Sequence, residues 1–183
     1  MITHADTYER LYVEAGGIEG STWYYDARST ARKFSRAHDV TLSQAAGVIA
    51  AMSPGTLWKS NVTVAGRILA EFAKDRSAPC PTSGFGFTRN VAKAWRILQG
   101  ERPRTVFATS PKVGAFYRSI MGDHSQAVVD MWMMRAAGFD HDSPTKAEYM
   151  LLAAALAEAA LRQRVPTNVL QAVVWTHVRG GGE

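Results

Sequence analysis

Apolar side chains recur at helical spacing along most of the chain, and little of it alternates between apolar and polar residues in the way that strands do. The segment 57–74 is the clearest case. Its apolar residues recur along one helix face: Leu57, Val64, Ile68, Leu69 and Phe72. The pattern predicts an all-α protein, a single-domain bundle of about eight helices.

Capping residues indicate where these helices begin. Thr41 and Gln44 have the spacing of a capping box, and Ser110-Pro111 combines an N-cap serine with proline at the first helical position. Asp130 follows two apolar residues and is expected to be the N-cap of the next helix. The other helices are expected at 7–15, 22–37, 57–74, 88–98 with Thr88 as N-cap, 143–164 starting at Ser143-Pro144, and 166–178. The segment 100–109 is expected to be a connector.

Composition limits the class of protein. A chain of 183 residues fits one domain, residues 1–183. Cys80 is the only cysteine, so the sequence holds neither a disulfide pair nor the four cysteines of an iron–sulfur cluster. The five histidines have no metal-ligand spacing, and we expect no metal and no cofactor. No apolar run reaches the length of a membrane span, and no signal-like segment is evident, so we expect a cytoplasmic protein.

The chain is basic overall. It has 21 lysine and arginine residues against 16 aspartate and glutamate residues, a net charge of +5, and a pI near 9.6. A solvated basic face would account for this excess. The excess is also compatible with nucleic acid, because neutralisation of phosphates supplies most non-specific affinity.

The segment 112–138 carries the most specific chemistry. Lys112 lies in the first turn of one predicted helix, and Asp130, 18 positions later, starts the next. Asp130 follows Val128-Val129 and precedes a helix that contains Arg135. The arrangement resembles the helix-hairpin-helix DNA glycosylase superfamily, which has the endonuclease III-like fold. The resemblance implies that Asp130 and Lys112 are catalytic. The Leu-Pro-Gly-x-Gly turn usual in that family is replaced here by Phe-Ala-Thr-Ser-Pro at 107–111.

A second stretch, residues 44–65, is similar to the helix–turn–helix of the same family that approaches a flipped-out base. The resemblance implies DNA contacts from this stretch and from two arginines: Ser53, Trp58, Lys59, Asn61, Arg118 and Arg135. It also implies that the turn 53–61 faces the cleft of Asp130. Structural roles remain as alternatives. Trp58 can belong to the core, Asn61 can cap the carbonyls of the turn, Asp130 can be only an N-cap, and Lys112 can be exposed or contact a phosphate.

Three hypotheses for function follow. In the first, the protein is an N-glycosylase that flips out a modified base and cleaves at the sugar. In the second, it resembles the phage enzymes that build hypermodified thymine and acts on the base substituent, and this resemblance implies a bacterial or phage-infected cell. In the third, it is a non-catalytic DNA-binding protein on the same fold. The Lys112/Asp130 pair favours the two enzymes, whereas the altered hairpin favours the second and third hypotheses. The base, the strandedness of the DNA and the oligomeric state are left open.

Overall fold

The computed structural model describes residues 2–180, and within that range the chain forms ten α-helices and no strand. The helices are α1 (His4–Glu14), α2 (Trp23–Ala37), α3 (Leu42–Met52), α4 (Trp58–Lys74), α5 (Thr88–Leu98), α6 (Pro103–Val106), α7 (Pro111–Met121), α8 (Met131–Ala136), α9 (Lys146–Gln163) and α10 (Thr167–Val178). The all-α class predicted from the hydrophobic pattern is confirmed.

Several predicted helix starts are confirmed. Thr41 and Gln44 form the expected capping box of α3, α7 begins at Pro111, and Asp130 is the N-cap of α8. Four details differ. Helix α1 begins at His4, three residues earlier than expected, because Thr3 and Asp6 form a capping box there. Helix α5 has Phe87 at its N-cap, so Thr88 is its first residue and not its cap. Helix α9 starts two residues later than expected, because Thr145 and Glu148 form its capping box.

The fourth difference is the number of helices, which was expected to be about eight. The expected connector 100–109 contains the short helix α6, which begins at Pro103. Proline is favoured at the first turn of a helix because it has no N–H to leave unpaired there.

The chain folds as two compact units. One, called here the flanking unit, comprises residues 2–26 and 122–180 of the part that the structure describes. The other, the central unit, comprises residues 27–121.

The core of the flanking unit forms where α9 packs against α1 and α10. Tyr8 is fully buried, and its hydroxyl donates a hydrogen bond to the carbonyl of Met133 at 2.9 Å. Burial raises the pKa of the Tyr8 hydroxyl well above its usual range, and the charge of Asp130 adds to this effect. The neutral hydroxyl therefore acts as a permanent donor that holds α8 against α1.

The core of the central unit is built around α3, whose residues 45–52 are all buried against α4, α5 and α7. Trp95 on α5 is 1% exposed, and its indole N–H donates to the carbonyl of Ala78 at 3.2 Å. Its ring also meets Phe72 edge-on at 5.4 Å between centroids. Among the ten helices described, none combines the length and the apolar composition that crossing a bilayer requires.

Candidate functional site

The Asp130 carboxylate is held by three N–H donors. Its Oδ1 accepts from the backbone N–H groups of Trp132 at 2.9 Å and Met133 at 3.1 Å. Its Oδ2 accepts from the indole N–H of Trp175, on α10, at 2.9 Å. The buried pair Val128-Val129 leads into this position, and Asp130 itself is half-buried.

A carboxylate accepts about four hydrogen bonds, so the three donors leave roughly one position, on Oδ2, for a further partner. The side chain is thus fixed in orientation by α8 and α10. A charge fixed in this way is suited to stabilising a positive charge that develops nearby, because it needs no reorganisation during the reaction. The same bonds also serve an ordinary structural role, which connects the start of α8 to α10.

Aromatic rings and guanidinium groups alternate beside this carboxylate. The Arg135 guanidinium lies 5.1 Å from the Trp132 ring centroid, and that of Arg179 lies 4.3 Å from Trp175 and 5.9 Å from Trp132. Trp23 continues the row, with its centroid 5.9 Å from that of Trp175. We call these five residues the Trp–Arg row. The three distances between a guanidinium and a ring are typical of cation–π contacts.

Arg135, which the resemblance assigns to a DNA phosphate, already has an acidic partner. Its Nε and Nη2 donate to the two carboxylate oxygens of Asp142 at 2.9 and 3.0 Å. The pair is exposed, so it is weak and open to exchange with another anion.

His141, next to Asp142, contacts two carboxylates. Hydrogen bonds to Asp140 at 3.2 Å and to Glu148 at 3.3 Å raise the pKa of the imidazole. Residues 2–180 nevertheless contain no group of three or more His, Cys, Asp or Glu side chains placed to hold a metal ion.

Lys112 lies in the first turn of α7, as predicted, and is half-buried. A second lysine joins it at the start of this helix, because the Lys93 ammonium donates to the hydroxyl of Ser110 at 3.1 Å. Two cations at a helix N-terminus oppose the helix dipole, which favours anions there. Lys112 belongs to the central unit and Asp130 to the flanking unit, so their cooperation stays a prediction.

The segment 53–61 comprises the turn that joins α3 to α4 and the first four residues of α4, all within the central unit. Its carbonyls are capped by the hydroxyl of Thr56, which donates to Met52 at 2.9 Å and to Ser53 at 3.1 Å. Asn61 is 2% exposed, and its side-chain oxygen is buried without a hydrogen-bond partner among residues 2–180. Asn61 would therefore reach a DNA base only if the start of α4 moved.

Ser53, Trp58 and Lys59 differ from one another in exposure. The Ser53 hydroxyl donates to the carbonyl of Ala50 at 2.9 Å, Trp58 is half-buried, and Lys59 is exposed. Whether this turn faces Asp130 also stays a prediction, since the two lie in different units. Arg118 is half-buried on α7, one turn after Gly114.

Charge is divided unequally between the two units. Residues 27–121 contain fifteen lysine and arginine residues against four acids, a net charge of +11. The rest of the chain contains six lysine and arginine residues against twelve acids, a net charge of −6. The charges of the two parts add up to the total of +5. The modest overall charge therefore conceals one strongly basic unit.

The few acids of the central unit are already engaged. Asp39 pairs with Arg76, Glu71 pairs with Lys74, and Glu101 pairs with Arg96. Asp75 accepts from the hydroxyl and the N–H of Ser77, which lowers its pKa. Most of the positive charge of the unit is thus left without internal neutralisation.

Two features of this site could not be predicted from the sequence alone. The Trp175–Asp130 bond joins residues 45 positions apart, and nothing in the local sequence marks Trp175 as a partner. The charge division is countable in the sequence, but only the boundaries of the compact units show which residues to count together.

The chain belongs to a family of unknown function (DUF7178), whose family model matches residues 11–182. No curated protein and no solved structure matches the chain.

Proposed function

We propose that the protein processes DNA bases in the manner of the DNA glycosylase superfamily, acting on a flipped-out base with Asp130 and Lys112. The observation that carries the proposal is the net charge of +11 on residues 27–121. A unit of this charge attracts a polyanion, and counterion release from DNA is the largest source of such affinity.

The geometry at Asp130 supports a chemical role. Cleavage of a glycosidic bond places positive charge on the sugar, and a carboxylate fixed by three N–H donors stabilises that charge without moving. The Trp–Arg row beside it offers aromatic faces, on which an unstacked base is stabilised by roughly 1–3 kcal/mol.

A non-catalytic DNA-binding protein is the second candidate, and the same carboxylate supports it. Three of the roughly four acceptor positions of Asp130 are filled by the protein itself. A residue so fully used in joining α8 to α10 needs no catalytic role to explain it. Activity on the base substituent, as in thymine hypermodification, would be identified by an altered thymine nucleoside in DNA from cells that express the protein.

Trapping with borohydride tests the proposed chemistry. The Lys112 amine would attack the sugar C1′ and lose water to form a Schiff base, which borohydride reduces to a stable amine. With a duplex that carries one abasic site, we expect the wild-type protein to form a covalent adduct and Lys112→Gln to form at least about 100-fold less, the lower limit for a positioned catalytic group. Lys74→Gln, which removes an exposed lysine of the central unit that the resemblance does not assign to DNA, is the matched control.

The outcomes separate the hypotheses. An adduct that survives Lys112→Gln would show that Lys112 is not the nucleophile. Absence of any adduct, together with an altered thymine nucleoside in digested DNA from cells that express the protein, would favour the base-substituent reaction. Absence of both, with DNA binding intact, would favour the non-catalytic protein.

A further inference from the structure

A stripe of positive charge runs along the part of α2 that belongs to the central unit. Arg32, Lys33 and Arg36 are all exposed, and residues 27–38 contain no acid. We call these three residues the α2 stripe. It lies outside every segment that the glycosylase resemblance assigns to DNA.

None of the three side chains has an anionic or hydrogen-bonding partner within residues 2–180. Arg28, one turn earlier, is different, because it is half-buried and its guanidinium donates to the carbonyl of Met121. Arg28 therefore anchors the helix, whereas the three side chains of the α2 stripe face solvent.

The arrangement is unfavourable for the protein alone. Arg32 and Arg36 are four residues apart, and Lys33 and Arg36 are three apart, and like charges at these spacings repel one another on a helix. The nearest acid in sequence, Asp39, is already paired with Arg76. A bound anion would relieve this repulsion. A single exposed arginine, which has no like charge beside it, would gain less from such an anion.

The dimensions fit one strand of duplex DNA. The α2 stripe, from Arg32 to Arg36, spans about 6 Å of helix axis. One DNA strand presents a phosphate about every 3.4 Å along the duplex axis, so about two phosphates lie within that length.

We propose that the α2 stripe binds the phosphate backbone of duplex DNA. The proposal rests on the proposed function only in taking DNA as the partner, and it requires no chemistry at Asp130. It assigns the stripe to holding and positioning the duplex, since phosphate contacts carry no sequence information.

The test compares two variants of equal charge. The stripe variant is Arg32→Gln, Lys33→Gln and Arg36→Gln. The control is Arg10→Gln, Lys146→Gln and Arg164→Gln, three exposed residues of the flanking unit. Each removes two arginines and one lysine and lowers the net charge from +5 to +2. Fluorescence anisotropy with a short labelled duplex, over a range of salt concentrations, gives the affinity and its salt slope.

We expect the stripe variant to bind at least about tenfold more weakly, with the slope of log affinity against log salt reduced by about 2 to 3. The control should keep the wild-type slope. Equal losses in both variants would show that only net charge matters and would overturn the proposal, as would a stripe variant that binds like wild type. An RNA duplex that binds more tightly than the DNA duplex at the same salt would also overturn it.

Two checks keep these outcomes separate from those of the proposed function. The thermal midpoint of the stripe variant should be unchanged or slightly raised, because like-charge repulsion is removed. Wild-type protein that binds no duplex at low salt would refute the proposed function itself, whereas binding by wild type and stripe variant alike refutes only the α2 stripe.

Discussion

Replacing Asp130 with alanine is expected to lower the free energy of unfolding by about 2–4 kcal/mol. Loss of an N-cap costs about 0.5–2 kcal/mol. The partly buried indole N–H of Trp175 would also lose its acceptor, which costs about 1–3 kcal/mol more. Urea denaturation of wild type and Asp130→Ala would measure the difference.

Asp130→Asn separates the contribution of the N-cap bonds from that of the bond to Trp175. Asparagine caps a helix about as well as aspartate, so the bonds to the N–H groups of Trp132 and Met133 should persist. Its amide NH₂ would then face the indole N–H of Trp175, donor against donor, at a cost of about 1–2 kcal/mol. In a Trp175→Phe background, which lacks that N–H, Asp130→Asn should cost much less. Equal costs in the two backgrounds would contradict the bond.

Measuring activity in the same two backgrounds separates the role of the Asp130 charge in the reaction from its role in folding. A loss of activity in Asp130→Asn alone would combine a missing charge with a strained contact to Trp175. A loss of activity that persists in the Trp175→Phe background, where folding is expected to be less disturbed, would point to the charge itself.

The second large effect is expected at Gly20, before α2. Its φ of +84° is strained for any residue with a side chain, and an added Cβ would lie 2.5 Å from the Thr176 hydroxyl oxygen and 2.8 Å from the carbonyl oxygen of Ala172. The second atom belongs to the backbone of α10 and cannot rotate away. Gly20→Ala should therefore lower the free energy of unfolding by about 3 kcal/mol or more, from strain and overpacking together.

Gly16→Ala is the matched control. Gly16 also has a positive φ, +70°, but an added Cβ would meet nothing within 4 Å. Only the backbone strain of about 1–2 kcal/mol should remain. Urea denaturation of the two variants would measure both effects, and equal losses would show that close packing at α10 is not what fixes glycine at position 20.

The local sequence was sufficient to predict features that depend on neighbouring residues. The capping box at Thr41 and Gln44, the start of α7 at Pro111 and the N-cap at Asp130 each involve groups within three positions, and all three are confirmed. The prediction was wrong where two local signals competed. Ser143-Pro144 resembles a helix start, but the capping box of Thr145 and Glu148 satisfies the N–H groups of α9 better.

Features that depend on long-range packing could not be predicted in this way. Trp175 reaches Asp130 across 45 positions, and Tyr8 reaches Met133 across 125. The α2 stripe could not be predicted for another reason. The overall charge of +5 looks ordinary until the chain is divided into units of +11 and −6.

Binding of wild-type protein to a short DNA duplex, measured between 50 and 200 mM salt, tests the central claim most directly. If the basic central unit holds DNA through six or more phosphates, affinity should fall by about 1,000-fold or more over that range. Affinity that stays flat across the range, or no binding at 50 mM salt, would contradict the account of this protein as one that acts on DNA.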